Sequence, residues 1–154
     1  MADLLVFVDE SDSVYGLIAI REGSLKDIVK KLSWVKHFKD MGKKSKRKYL
    51  RAFPRRFLKV KQMLVFSKIF FQVEELIRFL NSIKRDVEII VLDDRLYGKI
   101  RNRINLVNYI LESRKPFSYR RLMLLADNLA NYGRIQLSKY GWKKALKYIK
   151  ELEK

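Results

Sequence analysis

The tightest constraint on the fold comes from three short stretches of strand-forming residues and from what joins them. Residues 4–10 (LLVFVDE) are rich in β-formers and end in two carboxylates. Ser11-Asp12-Ser13 supplies a turn, and residues 14–21 (VYGLIAIR) read as a second strand antiparallel to the first. Residues 87–93 (VEIIVLD) are nearly all apolar, the pattern of a central strand covered on both faces. A helical stripe of Val73, Leu76, Ile77, Leu80 and Ile83 leads into them.

The remaining elements follow from periodicity and breakers. Ser24 with Asp27 three residues on predicts a capped helix of about fifteen residues, with Leu25, Ile28, Val29, Leu32 and Val35 on its apolar side. Residues 59–67 (KVKQMLVFS) read as a third strand, and 72–84 as the helix just described. Ile100, Ile104, Val107 and Leu111 mark another helix. A further one spans about 118 to 132 and stops at Gly133, which suits a C′ cap. Trp142, Ala145, Leu146, Ile149 and Leu152 give a final amphipathic helix. The expected fold class is α/β: one domain over residues 1–154, with a mixed sheet flanked by helices. A basic helical insertion, residues 24–58, separates the second and third strands.

Composition limits the chemistry. The 154 residues carry 35 Lys and Arg against 17 Asp and Glu, a formal net charge of +18, and no cysteine. Disulfide frameworks, thiolate metal sites and cysteine nucleophiles are excluded. No run approaches the roughly 18 apolar residues of a membrane span, and Met1-Ala2-Asp3 lacks a basic n-region. A cytoplasmic protein with a nucleic-acid partner and no membrane role is the expectation. General surface basicity, as in proteins from heat-loving organisms, is the blander alternative.

The cations are clustered. Residues 43–61 hold ten Lys or Arg and no acid, among them Lys43, Lys44, Lys46, Arg47, Lys48, Arg51, Arg55 and Arg56. These would neutralise phosphates. Tyr49, Phe53 and Phe57 recur every fourth residue between them. They either stack on unpaired bases or form an apolar face packed on the body. Pro54 predicts two short helical pieces here.

Against that background the acids that end apolar elements stand out. Asp9-Glu10 closes the first strand and Asp93-Asp94 the fourth. Alternation puts Asp9 on the face of Leu5 and Phe7, and Glu10 on the other. Asp127 sits within LMLLADNLAN, on the flank of an apolar helix. Carboxylates converging from separate elements are what divalent cations need, since Mg²⁺ and Mn²⁺ prefer oxygen ligands. Two such ions about 3.5–4 Å apart can serve phosphodiester cleavage. Candidate metal ligands are therefore Asp9, Asp93, Asp94 and Asp127. Strand-end turns are the structural alternative.

FVDES at residues 7–11 and LLADNLAN at 124–131 resemble the two ends of the "DESG" proteins of the ribonuclease H-like superfamily. The resemblance implies metal-dependent phosphodiester cleavage, with acids on the first strand, the first core helix, the fourth strand and a late helix. Those positions correspond to Asp9, Glu74 or Glu75, Asp93 or Asp94, and Asp127, with Glu75 preferred for the helix. The chain is also similar to the small archaeal single-strand-specific 3′–5′ exonucleases of that superfamily. A metal-dependent nuclease acting on single-stranded DNA is thus expected, in the manner of an exonuclease. The alternatives are a non-catalytic single-strand-binding protein and an oligomeric scaffold that uses the Trp142 helix. Asp12 stands where the motif has glycine.

Other constellations carry less. His37 is the only histidine and reads as structural. The six glycines form no phosphate loop, and the Tyr-Gly pairs at 15–16, 97–98, 132–133 and 140–141 read as turns. Arg95, Lys99 and Arg101 follow the fourth strand's acids and are placed to hold phosphates; Arg95 is the one nearest them. A homo-oligomer is compatible with the exposed aromatics expected of the insertion.

Overall fold

The computed structural model describes residues 2–105 and 108–154. Strands β1 (Leu4–Ser11) and β2 (Val14–Arg21) pair antiparallel, with Leu5 opposite Ile20 and Asp9 opposite Gly16. Strand β3 (Phe66–Phe70) adds antiparallel to the outer side of β2. Strands β4 (Val87–Leu92) and β5 (Tyr109–Leu111) run parallel to β1 on its other side. The result is a five-stranded mixed sheet of order β3-β2-β1-β4-β5, flanked by helices.

Alternation along β1 divides the core between the two faces of the sheet. Leu5 and Phe7 point to one side, with Ile18 and Ile20 of β2. There they meet α1 (Leu25–Lys31), α2 (Lys43–Lys61) and α5 (Arg120–Leu152). Leu4, Val6 and Val8 point to the other side, against α3 (Val73–Ile83) and α4 (Asp94–Ile100). A central strand covered on both faces has no solvent side, which explains the unbroken apolar run.

Several local expectations fail, each because tertiary packing outweighs a local preference. The helix after Ser24 lasts only from Leu25 to Lys31, and Ser24 makes no side-chain cap bond. Leaving the helix early lets Leu32, Val35 and Phe38 all reach the core. Pro54 does not divide the basic segment: α2 runs unbroken over nineteen residues. Phe53 and Phe57, both fully buried, clamp it on either side of the lost hydrogen bond. Residues 59–61 belong to this helix, and the third strand begins only at Phe66.

The predicted helix over Ile100–Leu111 is also replaced. Ile100 ends α4, and Tyr109–Leu111 fills the open edge of β4 as a fifth strand; Val107 lies outside the described residues. Gly133 is no cap either, because α5 continues through it to Leu152. A Cβ there would press to 2.7 Å from Ile69 Cγ2, so glycine serves close packing on β3. The backbone break falls at Gly141, with φ 76° and ψ 175°. Of the four Tyr-Gly pairs, only Tyr140-Gly141 marks a change of direction; the others lie within β2, α4 and α5.

The basic insertion is part of the body. Tyr49, Phe53 and Phe57 share the core of Leu5 and Phe7. The Tyr49 hydroxyl accepts from Asn128 Nδ2 at 2.8 Å and from the Lys36 amide at 3.1 Å, pinning α2 to α5. No helix among the described residues is long and apolar enough to cross a membrane.

Candidate functional site

Asp9, Asp93 and Asp127 come together at one end of the sheet, in a cleft of about 640 Å³. Each arrives by a different route. Asp9 is the last buried residue of β1, on the face that meets α5. Asp93 follows β4 and caps α4, its Oδ2 accepting from the Leu96 amide at 3.2 Å. Asp127 projects from α5, one residue after the Ala126 backbone that lies against Gly16 of β2.

A fourth acid joins them. Glu112 begins a 3-10 turn (Glu112–Arg114) straight after β5. Ligand oxygens of Asp9, Asp93 and Glu112 all lie within 4.8 Å of one another, close enough to share a cation. The sequence signal for Glu112 was the same as for Asp9 and Asp93, an acid at the end of a strand. It went unseen because three residues of β5 looked like part of a helix.

Electrostatics follow from this crowding. Asp9 is only 7% exposed. Burial, and then the charges of Glu112, Asp127 and Asp93, push its pKa up to about 9, although the Glu10 amide donates to Oδ1 at 2.8 Å. Burial likewise raises Glu112, with the neighbouring Asp93, Asp127 and Asp94 adding to the rise and Lys115 opposing it. Asp127 is raised by burial and held back by His37, the Phe38 amide and Asn131. Its Oδ2 is shut off from solvent with no hydrogen-bond partner, an arrangement that invites a cation. The donor set is all carboxylate oxygen, which suits hard divalent ions.

A small network sets the Asp127 carboxylate. Arg134 Nε donates to Ser11 Oγ at 2.8 Å, and Ser11 Oγ donates to Asn131 Oδ1 at 2.8 Å. Arg134 Nη2 donates to the same Asn131 oxygen at 3.0 Å. With its oxygen so engaged, Asn131 turns Nδ2 to Asp127, donating to Oδ1 at 3.0 Å. Asp127 Oδ2 is thereby left without a hydrogen-bond partner.

The other sequence candidates fall elsewhere. Asp94 does not enter the cluster: its carboxylate accepts from the Ser113 amide at 3.2 Å and from Ser113 Oγ at 2.7 Å, tying α4 to the Glu112 turn. Glu75 lies across the sheet, in a groove with Phe79 and Trp142. Glu74 pairs with Arg103 at 3.6 Å. Because α3 packs on the opposite face from α5, neither glutamate joins Asp9. Glu10 reaches the rim but is held by Lys99 at 2.8 Å.

His37, read as structural from sequence, lines the cleft together with Lys39 and Arg95. Along α2, Lys43, Lys44, Arg47, Lys48, Arg51 and Arg55 are exposed, while Lys46 and Arg56 lie over the rings of Phe38 and Trp34. None of these eight cations forms an ion pair among the described residues. The aromatics between them are buried, so they offer no face to a base.

Compared with known proteins, the chain matches no family model, no curated protein and no solved structure. What the cleft does has to be read from its own chemistry.

Proposed function

We propose that the protein hydrolyses phosphodiester bonds in nucleic acid with the help of divalent cations, Mg²⁺ or Mn²⁺, held by Asp9, Asp93, Glu112 and Asp127. One observation carries the reading. The chain has 35 Lys and Arg, yet among the described residues none forms an ion pair with any of these four converging carboxylates. Leaving such a cluster unpaired is costly unless something cationic enters it.

Bound there, one or two such ions would neutralise the carboxylates, favour ionisation of a water and stabilise the leaving oxygen. The overall reaction adds water to phosphorus and breaks one P–O bond, and the departing oxygen takes up a proton. The chain's own part is to hold and orient. Asn131 fixes the Asp127 carboxylate, the Leu96 amide fixes Asp93, and Lys39 and Arg95 at the cleft bring in phosphate charge. The exposed cations of α2 extend that positive surface beyond the cleft.

The sheet order and the parallel β1-β4-β5 set support a ribonuclease H-like fold. So do acids at the end of the first strand, after the fourth and on the last helix. The first-helix acid departs from that pattern, and Glu112 takes its place at the cleft. A single strand is the preferred substrate in this reading, because a cleft of about 640 Å³ suits a nucleotide better than a duplex.

The test is cleavage of labelled single- and double-stranded DNA and RNA in Mn²⁺, Mg²⁺ or EDTA, with Asp9→Asn and Asp127→Asn alongside. Cleavage should require metal and vanish in both variants while binding persists. Activity that survives in EDTA, or in Asp9→Asn, would overturn the proposal.

A further inference from the structure

Beyond the wall made by His37 and Glu112 lies a second, smaller cavity of about 290 Å³. Both residues line it and the carboxylate cleft alike, so the two spaces are neighbours. Its chemistry differs from the cleft's. Lys115 and Arg120 supply two cations, and Met123 and Leu124 of α5 supply an apolar floor. Arg120 is exposed and makes no side-chain hydrogen bond or ion pair among the described residues. Lys115 Nζ donates to the Glu112 carbonyl at 3.2 Å, so it stands beside the cluster without pairing to a carboxylate. Between these cations in the chain, the Phe117 ring is 86% exposed.

We propose that this cavity is a subsite for the nucleotide adjacent to the scissile phosphate, an inference that rests on the nuclease reading above. Arg120 and Lys115 hold that nucleotide's own phosphate, and Met123 and Leu124 take its sugar or base. Phe117, in the segment between Lys115 and Arg120, offers an exposed aromatic face for stacking. The size is near the ~300 Å³ at which small-molecule pockets begin, enough for one nucleotide and no more. Two acids share the walls. Glu112 belongs to the cation-binding cluster, and Asp40 is exposed, so solvent and salt screen its charge. The cluster then cuts between two occupied spaces, and a strand is gripped on one side of the reacting bond by two cations that pair with none of the cluster's carboxylates.

The experiment compares two substrates in Mn²⁺: an end-labelled oligothymidylate, which reaches both cavities, and bis(p-nitrophenyl) phosphate, which fills the cleft alone. Arg120→Ala and Lys115→Ala should each lower kcat/KM on the oligonucleotide about tenfold, mainly through KM. Arg120 bonds to no member of the cation-binding cluster, so Arg120→Ala should leave the small ester unaffected. Oligothymidylate affinity should lose about one unit of salt slope per cation removed. Unchanged oligonucleotide kinetics, or equal losses on both substrates, would overturn the subsite. If the wild-type protein hydrolyses neither compound, the nuclease reading fails, and anisotropy binding of the same oligothymidylate judges the subsite separately. Weaker binding in both variants keeps it as a nucleotide site, and unchanged binding removes it.

Discussion

Gly16 stands opposite Asp9 in the β1–β2 ladder, and its missing side chain is what lets α5 lie against that point of the sheet. A Cβ at Gly16 would strike the Ala126 carbonyl oxygen and come to 2.8 Å from the Ala130 amide nitrogen, both fixed backbone atoms. The close approach carries Asp127 to Asp9. Gly16→Ala should therefore push α5 outward, cost about 1–3 kcal/mol and weaken divalent-ion binding. Chemical denaturation and calorimetric titration with Mn²⁺ would measure the two effects. Full stability with unaltered Mn²⁺ affinity would contradict the account.

Stability in EDTA should fall as pH rises. Asp9 is raised from 3.8 to about 9, so between those values the folded protein holds a proton that the unfolded chain has released. Its contribution is present below pH 4 and is lost progressively as pH climbs towards 9. The raised Asp127 and Glu112 act in the same direction. Mn²⁺ should reverse the trend by replacing the proton, so its stabilising shift in Tm should be larger at pH 8 than at pH 5. Thermal melts with and without EDTA decide it.

Asn131→Leu keeps similar bulk but strands Ser11, Arg134 and Asp127 Oδ1 together. The expected loss is about 1–3 kcal/mol, accompanied by weaker Mn²⁺ binding. Asn131→Asp should bind metal worse still at neutral pH, since it aims a second carboxylate where an amide N–H now donates. Binding calorimetry on the two variants separates loss of packing from loss of orientation.

The β1–β2 turn holds Asp12 at φ 46° and Ser13 at φ 64°, both left-handed. Such a conformation costs a side-chain-bearing residue about 1–2 kcal/mol. Ser13→Gly should raise stability by about 1 kcal/mol, seen as a higher denaturation midpoint. The neighbouring Asp12 stays in place, 3.8 Å from Arg134. A lowered midpoint would show that the Ser13 side chain contributes more than its backbone costs.

The two kinds of residue on α2 should behave oppositely. Arg51→Ala with Arg55→Ala should flatten the salt dependence of nucleic-acid binding by about two units and leave Tm near wild type, because both side chains are exposed. Tyr49→Phe should do the reverse. It removes the acceptor for Asn128 and Lys36, costs about 1–2 kcal/mol and leaves the salt slope unchanged.

Residues whose environment is set by local pattern were readable in advance. The alternation of β1 placed Asp9 with Leu5 and Phe7, and the all-apolar β4 announced a covered central strand. Residues whose role depends on a distant partner were not. Tyr49, Phe53 and Phe57 fit stacking or packing equally well until α5 and the sheet closed over them. Glu75 and Asp94 sit in motifs as suggestive as those of Asp9 and Asp93. One is carried to the far face by α3, and the other is taken up by Ser113.

By itself the sequence determined an α/β chain with its hydrophobic runs in strand and helix periods, an acid-free basic stretch, and a few acids at the ends of apolar elements. These are properties of neighbours in the chain, fixed by side-chain geometry and charge. Only the tertiary structure decided that Pro54 is spanned by one helix, that Tyr109–Leu111 is a strand, and that Glu112 completes the cluster. The physical reason is common to all three. A buried face or an open sheet edge outweighs the modest preference of a few residues, and which face is available depends on elements many residues away.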